Sequence, residues 1–107
     1  MKAEEAKRLA DTTNYNFDQY LVELDQNPGV YLEKVFAKIA KQTSQGYYYL
    51  TFNFLIEIGI SFANPISLEN EHKFICRLLE TLKKDFNYKI SIDKFIPGAY
   101  TYQISWS

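Results

Sequence analysis

The chain has 107 residues, of which 47% are hydrophobic and 17% aromatic, including nine tyrosines and eight phenylalanines. This length and composition predict one folded domain and argue against disorder. Twelve basic residues nearly balance thirteen acidic ones, and the net charge of −1 excludes a general attraction to nucleic acid or to anionic membranes.

The single cysteine, Cys76, excludes an intramolecular disulfide and favours a reducing compartment. The first residues are charged and lack the apolar segment of a signal peptide. No stretch is apolar enough to span a bilayer. We therefore expect a cytoplasmic protein without membrane contact.

Residues 1–45 are predicted to be a helical part made of three segments. The first, Lys2–Asp11, has a shallow stripe that is mostly alanine, and Thr12-Thr13 interrupts it. A second apolar set, Phe17–Leu24, follows at helical spacing, and the pattern leaves open whether the two segments form one bent helix. The third segment begins at an Asn-Pro cap and extends to about Gln42. Its predicted core residues are Leu32, Val35, Phe36 and Ile39.

The clearest periodicity lies in residues 46–62. Every even position from Tyr48 to Phe62 is apolar or aromatic, whereas the odd positions are mixed. Such alternation predicts a β-strand with one buried face. The run exceeds the usual length of about 5–6 residues, so it is either one bent strand or two strands with a break.

Ser67, with an incomplete capping-box pattern behind it, predicts the start of a helix that ends near Asp85–Asn87, where Asn87 can take the left-handed conformation. Two further alternating runs, Tyr88–Asp93 and Tyr100–Trp106, predict a hairpin whose turn is Lys94–Ala99, with Pro97-Gly98 in it. The predicted core residues of the helix are Leu68, Ile75, Leu78, Leu79 and Leu82.

These elements predict a single α+β domain, residues 1–107, with a helical part at 1–45 and a β-α-β-β part at 46–107. A β-α-β connection is right-handed, and the last strand can lie between two parallel strands and antiparallel to both. We therefore expect a small antiparallel sheet of strand order 1-3-2, covered by helices on one face. A meander with the last strand at the edge is the alternative.

A sheet covered on one side leaves a second face, which the alternation identifies. Its residues are Tyr47, Tyr49, Thr51, Asn53, Lys89, Ser91, Asp93, Thr101, Gln103 and Ser105. Few charges together with aromatic side chains are typical of an interface core, although an ordinary solvated face is the alternative. The candidate binding residues are Tyr47, Tyr49, Asn53, Lys89 and Gln103 on this face, and Phe95 at the apolar tip of the hairpin.

Residues 45–52, Gln-Gly-Tyr-Tyr-Tyr-Leu-Thr-Phe, resemble the RNP1 strand of RNA-recognition domains. Tyr47 and Tyr49 match its two outward aromatic residues, which stack on bases. Gln45 replaces the basic residue of that pattern, Tyr48 replaces the small one, and no strand precedes it. A single-stranded nucleic-acid-binding protein is therefore the alternative function, and nucleic acid is not the partner that we expect first.

His72 and Cys76 are four residues apart on the predicted helix, a spacing that can hold a metal ion. Two ligands are too few for a closed zinc site, and the chain has no further His or Cys. A nucleophile would need His72 as its base and a third group to orient it, and the sequence indicates none. We expect no enzyme activity, no metal and no cofactor.

Three short segments accompany this order of elements: Glu4-Glu5-Ala6-Lys7, Ile39-Ala40 before Gly46-Tyr47, and Tyr102-Gln103-Ile104-Ser105-Trp106. In these features the chain resembles small bacteriophage and prophage accessory proteins, which often antagonise host defence by binding. The resemblance implies a non-enzymatic protein of the host cytoplasm that binds a host defence protein or a signalling nucleotide. It assigns no functional residue. We expect the protein to be a homo-oligomer.

Overall fold

The computed structural model describes residues 1–96 and 99–107, with the side chains of Phe95 and Ile96 outside that description. The described residues form three α-helices, one 3-10 helix and one three-stranded sheet. Their order is α1 (Ala3–Gln26), α2 (Gly29–Ser44), β1 (Tyr49–Phe52), the 3-10 helix (Leu55–Ile58), α3 (Leu68–Phe86), β2 (Lys89–Ile96) and β3 (Ala99–Ser105). The predicted α+β class is confirmed. The predicted turn of Lys94–Ala99 is too long, because β2 extends to Ile96 and β3 begins at Ala99. Pro97 and Gly98 lie outside the described residues.

The sheet has the strand order β1-β3-β2, and β3 is antiparallel to both neighbours. This confirms the predicted order 1-3-2 and excludes the meander with the last strand at the edge. Two rows of side chains cross the sheet on its helix side: Leu50, Ile104 and Ile90, and then Phe52, Tyr102 and Ile92.

The core lies between these rows and the helices. α2 packs against β1, and α3 packs against β2 and β3. The buried residues of the two helices are Tyr31, Leu32, Val35, Ile39, Asn70, Phe74, Ile75, Leu78, Leu79 and Leu82. Most of the predicted core residues are therefore confirmed. Leu68 is a correction, because it is exposed in the first turn of α3.

The ends of α3 follow from local chemistry. The Ser67 hydroxyl accepts the N–H of Asn70 at 3.1 Å, which satisfies one of the free donors at the start of the helix. Asn87 ends the helix with a φ of 61°, a left-handed conformation that asparagine tolerates. Both predictions are confirmed, and together they set where α3 begins and ends.

The prediction of three N-terminal helical segments is wrong, because residues 3–26 form the single helix α1 and only two helices precede the sheet. The Thr12 hydroxyl donates to the carbonyl of Arg8 at 2.9 Å, so this threonine stays within the helix. Phe17 and Leu24 are buried, whereas every residue from Met1 to Tyr15 is exposed. Among the described residues, no helix combines the length and the apolar character needed to cross a membrane.

The period of two beyond Phe52 does not continue as a strand, which corrects the prediction of a long strand. The side chain of Asn53 donates to the carbonyl of Tyr100 at 2.8 Å, where a longer β1 would have paired with β3. The 3-10 helix then buries Leu55 and leaves Ile56 73% exposed, the reverse of the predicted pattern. Gly59 follows with a φ of +83°, a conformation that favours glycine.

Candidate functional site

The sheet face that points away from the helices carries most of the candidate binding residues. Two rows cross it: Tyr49, Ser105 and Lys89, and then Thr51, Gln103 and Ser91. In both rows the β1 and β2 residues are exposed and the β3 residue is half-buried. The fold therefore brings Tyr49, Lys89 and Gln103 together on one surface, which we call the open face.

The open face ends at an aromatic pair. The ring of Tyr47 meets the ring of Tyr49 edge-to-face, with centroids 5.8 Å apart and planes at 70°. The two side chains are 46% and 42% exposed. The pair therefore forms a continuous aromatic patch beside the hydroxyl and amide groups of the rows.

The end of α2 sets the position of this pair. Gly46 has a φ of +87°, its N–H donates to the Thr43 carbonyl at 3.0 Å, and the Tyr47 N–H donates to the Gln42 carbonyl at 3.0 Å. This is the Schellman motif, in which a left-handed residue turns the chain away from the helix axis. Glycine at position 46 thus directs the chain into β1.

Tyr48 was predicted on the buried side of the strand, and the structure corrects this, because its side chain is 64% exposed. The residue precedes β1, and its backbone carbonyl accepts the N–H of Trp106 at 3.0 Å. Three consecutive tyrosines are therefore exposed. The run of three tyrosines in the sequence could have indicated this exposed patch. The assumption of strand alternation from Tyr48 onward placed the middle tyrosine in the core instead.

Asn53 and Phe95 differ from the other candidates. The amide nitrogen of Asn53 donates to the Tyr100 carbonyl at 2.8 Å and to the Thr101 hydroxyl at 2.9 Å. This nitrogen holds β1 to β3 and is therefore not available to a ligand. The backbone of Phe95 belongs to β2, and its side chain lies outside the described residues.

A second cluster forms where α3 meets β3. The His72 ring stacks on the ring of Tyr100, with centroids 3.7 Å apart and planes at 10°. Its Nδ1 lies 2.6 Å from the Tyr102 hydroxyl, and its Nε2 lies 3.4 Å from Sγ of Cys76. Sequence reasoning paired His72 with Cys76 and missed the two tyrosines, because their contact arises from tertiary packing.

The pKa shifts in this cluster disfavour a thiolate–imidazolium pair. Burial lowers the pKa of His72, and the nearby positive charge of Lys94 acts in the same direction. Burial raises the pKa of the Cys76 thiol and of the Tyr102 phenol. A reactive cysteine needs its thiolate form, which a neighbouring imidazolium stabilises. Here the neutral forms of both groups are favoured instead.

No metal centre is built elsewhere in the described part of the chain. No three His, Cys, Asp or Glu side chains in residues 1–96 and 99–107 form a group that could hold a metal ion. A hollow of about 460 Å³ between α1 and residues 64–67 has room for a small ligand. Its lining is uncharged: Thr13, Asn16, Phe17, Tyr20, Asn64, Pro65, Ile66 and Ser67. It therefore offers no cation to a phosphate.

Comparisons of the chain with protein-family models, with curated proteins and with solved structures find no match.

The open face offers exposed phenol rings, the ammonium group of Lys89, and neutral amides and hydroxyls. These groups can stack on a ligand and form hydrogen bonds with it.

Proposed function

We propose that this protein acts by binding, without catalysis, and that the open face is its binding surface. The observation that carries the proposal is the placement of Tyr47, Tyr49 and Lys89 at one end of a sheet face that no helix of the described chain covers. Aromatic side chains among uncharged polar groups are typical of interface cores. The raised pKa of the Cys76 thiol supports binding over catalysis, because burial disfavours the thiolate that a nucleophile needs.

The proposed partner is a host defence protein or a signalling nucleotide, bound in the host cytoplasm by a phage-type accessory protein that forms a homo-oligomer. The sequence resemblance supports the phage type. Tyrosine provides a large contact area with few rotatable bonds, which suits a protein partner. For a nucleotide, the ring of Tyr49 would stack on the base. Lys89, two strand spacings or about 10 Å away, would meet a phosphate.

The test compares the wild-type protein with the Tyr47→Ala/Tyr49→Ala double variant. Tyr15→Ala is the control, because Tyr15 is an exposed tyrosine on α1, away from the open face. One arm titrates a panel of linear and cyclic nucleotides by calorimetry, and the other captures partners from host cells for mass spectrometry.

We expect the double variant to bind at least about 30-fold more weakly, since losing an aromatic anchor costs about 2 kcal/mol or more. The Tyr15→Ala control should bind like the wild type. Unchanged binding by the double variant would exclude the open face as the binding surface.

Single-stranded nucleic acid is the second candidate, because Tyr47 and Tyr49 lie exposed on the open face as the RNP1 resemblance requires. Their planes are 70° apart, so one ring would have to rotate before both could stack on successive bases. Fluorescence anisotropy with a labelled oligonucleotide at about 50 mM salt tests this function, because such binding weakens as salt rises. Absence of binding at low salt would exclude it.

A further inference from the structure

The two edges of the sheet differ in how their backbone groups are used. β1 has four residues, and the Gln42 side chain of α2 donates to the Tyr49 carbonyl at 3.2 Å. β2 has eight residues and pairs only with β3 within the described chain. A long unpaired edge is a template for another strand. The β2 edge is therefore the open one.

The helix side of the β2 edge is also incomplete. Ile92 is 41% exposed, although it shares a row with Phe52 and Tyr102, which are fully buried. A groove of about 510 Å³ lies here between β2 and α3. Leu79, Ile90 and Ile92 form its apolar part, and Cys76, Glu80, Lys83 and Lys84 complete its lining. The helices therefore cover this apolar row on β1 and β3 but leave its last residue, Ile92 on β2, partly exposed.

The hydrogen bonds of the sheet show which β2 residues present their backbone to this edge. The N–H of Trp106 donates to the Tyr48 carbonyl, so the even-numbered residues of β3 turn their backbone groups toward β1. The odd-numbered ones face β2, where Gln103 pairs with Ser91. On β2, Ile90 and Ile92 therefore direct their N–H and carbonyl groups to the free edge.

We propose that the β2 edge pairs antiparallel with the β2 edge of a second copy, in the register centred on Ser91. The proposed function includes a homo-oligomer, and the present proposal rests on that claim. It names the strand through which the two copies would make contact. In this register Ile90 lies opposite the partner's Ile92, and the two exchange backbone hydrogen bonds. The isoleucines of each copy also extend the apolar row of the other and cover both grooves.

The two charges that β2 carries on the open face are self-complementary in this register. Lys89 and Asp93 both lie on the open face, both are exposed, and Lys89 comes opposite the partner's Asp93. Neither takes part in the ion pairs formed by the described residues, which are Arg77–Asp25 and Lys84–Glu80. Opposite charges directly across two strands favour pairing.

Other registers of the same two strands lack this complementarity. In a register centred on Ile90, Lys89 would face the partner's Ser91. In a register centred on Ile92, Asp93 would face the partner's Ser91. Both registers keep the two open faces on one side of the sheet but lose the charge pairs. The charge pattern therefore selects Ser91 as the centre.

Pairing would double the three-stranded sheet and join two open faces into one. The Tyr47 and Tyr49 patches of the two copies would then lie at opposite ends of a continuous surface. Two linked binding patches can engage a symmetric or repeating partner more tightly than one patch does.

The test is a set of charge reversals, measured by sedimentation and light scattering from about 1 to 200 µM, a range that brackets micromolar affinity. The wild type should show twice the chain mass of 12.6 kDa. Lys89→Asp places two acids opposite each other, and Asp93→Lys places two lysines opposite each other. Each should raise the dimer Kd about tenfold or more.

An equimolar mixture of the two variants should restore the dimer, because the mixed pair regains both opposite-charge contacts. Lys34→Asp makes the same charge change at an exposed site on α2 and should leave the Kd unchanged. The rescue by mixing also shows that each variant is folded.

A wild-type mass near 12.6 kDa at every concentration would overturn the proposal and leave the edge for an extended peptide of another protein. A Kd that neither reversal changes, or variants that stay monomeric when mixed, would overturn the register. The Tyr47→Ala/Tyr49→Ala variant should remain a dimer while it loses ligand binding. Failure of the dimer and failure of the open face are thus distinguishable.

Discussion

The two faces of the sheet use the same strands for different purposes. On β3, Tyr102 and Ile104 are buried against the helices, whereas their neighbours Gln103 and Ser105 remain half-exposed on the open face. Because side chains alternate along a strand, one residue can hold the core while the next meets solvent or a partner. A small domain can thereby keep a recognition surface whose composition is independent of its core.

The largest expected effect separates these faces within one strand. Ile104 is fully buried, so Ile104→Ala should lower the free energy of unfolding by about 2–5 kcal/mol. Gln103→Ala, on the neighbouring residue of the open face, should change it by no more than about 0.5 kcal/mol. Urea denaturation followed by circular dichroism measures both. Similar losses for the two variants would contradict the division between the faces.

A smaller effect is expected at Asn53, which lies at the open face and yet holds two strands together. Asn53→Ala removes the hydrogen bonds to Tyr100 and Thr101 and should cost about 1 kcal/mol. Asn64→Ala, an exposed asparagine in the following loop, is the control in the same denaturation experiment. A loss no greater than that of the control would show that Asn53 does not stabilise the end of β1.

The smallest effect is a pH dependence on the helix side. The pKa of His72 is lowered in the folded protein, so the unfolded chain takes up this proton first. The contribution to stability is complete above the ordinary pKa of 6.5 and is lost as the pH falls through the lower folded pKa. His72→Gln should therefore flatten the fall in unfolding free energy between about pH 7 and pH 5. Equal slopes for both proteins would contradict a buried neutral imidazole.

The strand order and the caps of α3 could be predicted because they depend on local or general rules. A β-α-β crossover makes β1 and β2 parallel, so that β3 can lie between them and pair antiparallel with both, and Ser67 and Asn87 act on their own helix ends. The length of β1 could not be predicted. Residues 54–62 keep the alternation of a strand, but Asn53 takes the next position on β3, and the chain turns into a 3-10 helix.

The same distinction applies to the candidate sites. The residues of the open face were predictable, since a period of two fixes the side of the sheet on which each strand residue lies. The contact of His72 with Tyr102 was not, because 30 residues separate them and only the packing of α3 on β3 brings them together. The shallow alanine stripe of α1 likewise gave no sign that the helix continues through Thr12.

The most direct test of the division between the faces is a paired measurement on the Tyr47→Ala/Tyr49→Ala variant. Thermal unfolding reports its stability, and native mass spectrometry of protein purified from cells reports any retained ligand. We predict a Tm within about 4 °C of the wild type, together with loss of the ligand that the wild type retains. A Tm lower by about 10 °C or more, or ligand retained equally by both proteins, would contradict the assignment of binding to the open face.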